Sequence, residues 1–206
     1  MTQILLLALL FSAGTLVTQS PKSEAPQSQA SEFKLIIRKT IWEPIFFQAI
    51  DERAQQSDLP TLRVALPKDD LELRLWNGFG LTALEGVVLR RRAGEWSAIH
   101  LDGIHAKLPK ASYQKTLSAP KSGWTECWRK LTELGILTLP DAGEIKCSTM
   151  MEDGMSYVVE INQDFTYRTY MYDNPSYAKC DQAQRMISIG NLIAEEFDVP
   201  EMRTRK

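Results

Sequence analysis

Between Ser122 and Pro140 the apolar positions recur at helical spacing. Trp124, Cys127, Trp128, Leu131 and Leu134 follow the i, i+3, i+4, i+7 rule and predict one amphipathic helix. Ser122 or Gly123 starts it, Gly135 stands at its C′ position, and Pro140 blocks resumption. A second helix is predicted from Asp181, with Gln184 as its capping-box partner. Its buried stripe would be Ala183, Met186, Ile187, Gly190, Ile193, Ala194 and Phe197, and Pro200 stops it. Gly190 on that stripe predicts a close approach to the sheet, since glycine there costs about 1 kcal/mol against alanine.

The remaining periodic segments read as strands. Leu71, Leu73 and Leu75 face one way, Glu72, Arg74 and Trp76 the other. Residues 86–92 and 95–101 form a hairpin around Ala93-Gly94. Residues 155–161 and 165–172 form a second one, rich in β-branched and aromatic side chains, ended by Asp173-Asn174-Pro175. Residues 33–39 and 45–50 also read as strands, and 51–60 as a polar loop. Asp102 to Ser122 has no period and reads as a long loop of the functional or mobile kind. The expected fold is α+β: antiparallel sheet with a late helix–hairpin–helix module packed on one face.

The first twenty residues differ in kind. They carry no charged side chain, and Ile4 to Leu10 is almost purely apolar, the run continuing to Val17. This is signal-peptide length, short of the roughly 20 residues of a membrane span. Residues 20–32 (SPKSEAPQSQASE) have no hydrophobic period and read as a tether. The expected organisation is a signal peptide or N-terminal anchor at 1–19, a flexible tether at 20–32, one domain at 33–200 and a tail at 201–206. The protein is then secreted or periplasmic, or held in the membrane if the leader is uncleaved.

Composition adds exclusions. In 206 residues, 24 Lys+Arg nearly balance 26 Asp+Glu, so no global charge points to nucleic acid. No GxGxxG, P-loop, GxSxG, HExxH or CxxC occurs, which removes the easily read nucleotide, hydrolase, zincin and redox families. No catalytic residue, cofactor or metal is assigned. Three cysteines allow at most one intramolecular disulfide. Cys147 and Cys180 flank the second hairpin. If Asn162 pairs with Phe165, both pairs sum to 327, which would set the two cysteines opposite one another. The alternative is three unrelated buried thiols.

Three clusters remain as candidates. His100, Asp102 and His105 are the only group resembling metal ligands, but no second cluster completes the shell, and a strand end running into a polar turn is the preferred reading. Nine basic and three acidic residues lie between Arg90 and Lys130. Arg90, Arg92, Lys107 and Lys110 would form a patch for an anionic partner. The competing reading is a solvated charge run, with Arg91 on the opposite face. Arg168, Tyr170 and Tyr172 share a strand face that would either bind a partner or lie under the helices.

Trp76-Asn77-Gly78-Phe79-Gly80, residues 88–91 (VLRR), 96–101 (WSAIHL), 153–160 (DGMSYVVE), 167–170 (YRTY) and Asn174-Pro175 together resemble a group of uncharacterised exported bacterial proteins. The resemblance spans about two thirds of the mature chain and implies bacterial origin and export. It transfers no activity. The expected function is non-enzymatic binding of an envelope protein, glycan or anionic surface. An exported hydrolase-type enzyme with a site near His100, Asp102 and His105, or a protein inhibitor, are the alternatives.

Overall fold

The computed structural model describes residues 32–37, 43–79, 82–102, 114–147 and 155–203. The chain divides after Ala30, and the unit described here is Ser31–Lys206. Seven strands form one mixed sheet: β1 (Lys34–Ile36), β2 (Leu71–Phe79), β3 (Thr82–Arg92), β4 (Glu95–Leu101), β5 (Gln114–Thr116), β6 (Ser156–Gln163) and β7 (Thr166–Asp173). Their spatial order is β1-β7-β6-β2-β3-β4-β5. Among the described residues three α-helices accompany them: α1 (Glu43–Gln56), α2 (Trp124–Glu133) and α3 (Asp181–Phe197). The class is α+β, and the sheet is antiparallel except at one edge, where β1 runs parallel to β7.

The alternation of β2 divides the sheet into two faces. Leu71, Leu73 and Leu75 join Val87, Leu89, Ala98, Val159 and Tyr170 in the larger core, which α2 and α3 close with Cys127, Leu131, Met186, Ile189 and Ile193. The opposite face packs Trp76, Val88, Leu101 and Val158 against Ile50 and Ala54 of α1. The strand expected at 45–50 therefore lies in the first part of α1, and residues 51–56 of the expected loop at 51–60 form its second part. Buried Ile50 and Ala54 lie four apart, and Gln48 Nε2 donates to Glu52 Oε1 at 2.8 Å along the exposed side. An aromatic run hid this helical period within a strand-like stretch.

The second hairpin closes on Gln163 and Thr166, not on Asn162 and Phe165. Asp164 and Phe165 form the two-residue turn, both with positive φ (48° and 58°), the geometry that suits the strand twist. Cys147 and Cys180 lie beyond the ladder, which ends at Ser156 and Asp173. They are nevertheless disulfide-bonded, with Cα atoms 6.0 Å apart. Neither cysteine belongs to the ladder, so strand register plays no part. Cys180 is also the N-cap of α3, its Sγ accepting from the Ala183 N–H, in the place expected for Asp181.

Glu196 of α3 ties the two later helices together. It accepts from the Ser122 N–H at 2.8 Å, the Ser122 hydroxyl at 2.7 Å and Lys130 Nζ at 3.0 Å. Burial alone would raise its carboxyl. The bonds from Ser122 and the Lys130 charge outweigh that and hold it below the usual range.

Candidate functional site

Arg90 and Arg92 of β3 point into an internal network. Glu72 is buried on the α1-side face. It accepts from Arg74 Nε at 2.8 Å, Arg90 Nε at 2.8 Å and Arg92 Nη2 at 2.7 Å. Arg74 also donates to the Pro60 carbonyl at 2.7 Å. Burial would raise the Glu72 carboxyl, but Arg74 and Arg90 outweigh it and hold it below 4.5. Arg90 and Arg92 keep partly exposed side chains, and Lys107 and Lys110 lie outside the described residues. Arg91 faces the other way, its guanidinium over the Trp96 ring.

Glu160 lies on the same face as Glu72. Trp76 Nε1 and the Tyr167 hydroxyl donate to it at 2.7 and 2.8 Å. Its burial outweighs Arg74 and these two bonds, and its carboxyl is raised.

Arg168, Tyr170 and Tyr172 share a face, as expected, and the segment following α2 covers it. Tyr170 donates to the Ile136 carbonyl at 2.7 Å and Tyr172 to the Pro140 carbonyl at 2.8 Å. Arg168 donates to the carbonyls of Leu137, at 2.7 Å, and of Leu139. The three side chains therefore hold an irregular segment on the sheet by pairing its carbonyls. Tyr170 and Tyr172 are almost wholly buried.

The remaining cluster sits at the end of the larger core. His100 of β4 is buried, with Nδ1 3.1 Å from Asp102 Oδ1. His105 lies outside the described residues. Glu85 joins them from β3. Val87 is paired with His100, so Glu85 lies diagonally across the ladder on the same face. Its Oε2 is 3.8 Å from His100 Nε2.

Glu201 arrives from the 3₁₀ turn Pro200–Met202 after α3. Asn77 of β2 pins that turn, its Nδ2 donating to the Glu201 carbonyl at 2.8 Å. The Tyr157 hydroxyl donates to the Met202 carbonyl at 2.7 Å. One ligand atom each from Glu85, His100 and Glu201 lies within 4.8 Å of the others. From the far side of the sheet Arg53 of α1 donates to the backbone carbonyls of Leu84 and Asp102, bracing both strand ends.

Glu85 and Glu201 were not among the residues singled out in the sequence. Glu85 needs the β3–β4 register to be placed, and Glu201 lies about a hundred residues from its neighbours in the cluster. A lone acid in a strand and one after a terminal proline give no local signal. No protein-family model matches this sequence, and no curated protein matches it.

Proposed function

We propose that this protein is an exported domain of the bacterial cell envelope, secreted or periplasmic, that acts by binding another envelope component. The observation that carries this reading is the Cys147–Cys180 disulfide. Such bonds persist in oxidising compartments and are rare in reducing ones. The uncharged apolar leader, the tether and the resemblance to exported bacterial proteins support the same compartment. Among the described residues no helix is long and apolar enough to cross a membrane. Anchoring through an uncleaved leader remains the alternative location.

Binding is preferred to hydrolysis because His100, Asp102 and Glu85 do not line the groove described between the later helices. A groove of about 440 Å³ lies between α2 and α3, lined by Lys130, Glu133, Leu134, Asn191, Leu192 and Glu195 among others. An enzyme site of the hydrolase type asks for converging acid–base groups inside such a recess. Within the binding reading, the late helix–hairpin–helix segment is the rigid scaffold. Arg90 and Arg92, whose side chains stay partly exposed, are the surface offered to a protein, glycan or anionic partner.

The test is the intact mass of the protein from its own cells, with and without reduction before alkylation. The expected mass lacks roughly the first 14 to 30 residues. Two thiols should become alkylatable only after reduction, and Cys127 should react only on unfolding, its buried thiol being pushed up to about 12. A full-length mass with three free thiols would overturn export.

A further inference from the structure

We propose that Glu85, His100 and Glu201 form a binding site for a divalent transition-metal cation of the zinc class, with Asp102 as the residue that orients the histidine. This goes beyond the binding role proposed above and does not depend on it.

The argument starts from two unmet polar atoms. His100 is 5% exposed, and its Nε2 is buried without a hydrogen-bond partner. Glu85 Oε2 is likewise buried and unpartnered, although it faces Nε2 at 3.8 Å. Leaving such atoms unsatisfied is costly, so a pair of them facing each other asks for a common partner. The separation is too long for a hydrogen bond and close to the spacing of neighbouring ligands on one ion. Tetrahedral zinc, with bonds of about 2.0–2.2 Å, holds its ligand atoms roughly 3.3–3.6 Å apart.

The second line of argument is the tautomer. Asp102 Oδ1 lies 3.1 Å from His100 Nδ1, which places the ring proton on Nδ1 and leaves the Nε2 lone pair facing the two glutamates. A carboxylate behind a ligating imidazole is how metal-binding histidines are commonly oriented and made more basic. Arg53 holds the backbone of Asp102, so this orienting group sits on a braced strand end.

Glu201 supplies the third ligand. It is exposed, and its turn is pinned at both Glu201 and Met202 by Asn77 and Tyr157, so the carboxylate can rotate onto the ion while its backbone stays in place. One imidazole with two carboxylates makes three protein ligands and leaves a fourth position for water or a ligand. The imidazole selects zinc and its neighbours in the series over magnesium and calcium, which take oxygen donors.

The experiment is zinc titration of the untagged, disulfide-intact protein by calorimetry, with cobalt(II) absorption as the spectroscopic readout. One equivalent is expected to bind, and millimolar Mg²⁺ or Ca²⁺ should not displace it. His100→Gln and Glu201→Gln should each weaken binding at least tenfold. Glu201 is exposed, so its variant keeps the test meaningful if the His100 variant unfolds. Asp102→Asn should weaken binding about 10- to 100-fold with the stoichiometry kept. Zinc should raise the thermal midpoint of the parent and not that of Glu201→Gln. Absence of saturable zinc binding overturns the proposal, as does binding unchanged in both ligand variants or displaced equally by calcium.

Discussion

At the scale of the residue, Glu72 and Glu160 show how one sheet face sets two carboxyls apart. Both are buried within the same face, yet one is ringed by three guanidinium groups and the other by an indole N–H and a phenol. The Glu72 carboxyl is held below its ordinary 4.5, so its stabilising contribution is complete above that pH and is lost as pH falls through the lower folded value. Glu160 has the opposite sign: its raised value gives a contribution that is complete below 4.5 and is lost as pH rises through the folded value. Glu72→Gln removes one partner from buried ion pairs and is expected to cost about 3 kcal/mol at pH 7. Urea unfolding at a series of pH values checks this. The gap between parent and variant should narrow below about pH 4.5. A constant gap would show that the ion pairs are not its source.

Elements are joined here by polar groups as much as by apolar ones. The segment after α2 has no regular ladder, and Arg168, Tyr170 and Tyr172 pair four of its carbonyls. A strand face rich in Tyr and Arg reads equally as a binding surface or as such a fastening. Only the chain that covers it distinguishes the two. The docking of α3 turns on Gly190. A Cβ added there would lie 2.8 Å from the Tyr157 hydroxyl oxygen, 2.9 Å from its ring carbon Cζ and 3.0 Å from the Met202 carbonyl oxygen. Gly190→Ala is therefore expected to destabilise by about 1–3 kcal/mol despite alanine's better helix propensity. Thermal melts would detect the loss. An unchanged or higher midpoint would mean that α3 can shift without penalty. Because Met202 adjoins Glu201, the same variant should also weaken zinc binding.

For the whole molecule, the disulfide joins the segment after α2 to the start of α3 across the second hairpin. Its ends are 33 residues apart in sequence. Closing a loop of that length in the unfolded chain corresponds to about 3–4 kcal/mol on the chain-entropy account. The double variant Cys147→Ser, Cys180→Ser puts a hydroxyl oxygen in place of the sulfur at the N-cap of α3 and should lower the thermal midpoint by roughly 7–14 °C. Reduction of the parent should lower it by a similar amount. If neither treatment changes the midpoint, the bond is not a source of stability and serves the compartment reading alone.

Much of the architecture was legible from local patterns. The β2 alternation, the α2 stripe, both hairpins and the close approach at Gly190 depend on spacings of two to eight residues, and those spacings report which face is buried. Sequence also offered the Cys147–Cys180 pairing, though by a register that the Asp164–Phe165 turn does not have. Tertiary structure decided the rest. It made α1 of a strand-like run, because only the Trp76 side of the sheet shows that Ile50 and Ala54 have a surface to cover. It laid β1 parallel at an edge, added a helix to the second face, and turned Arg90 and Arg92 onto Glu72. It also set Glu85 and Glu201 beside His100. Each of these outcomes depends on contacts between segments far apart in the chain, and no local period encodes which distant partner a polar side chain will meet.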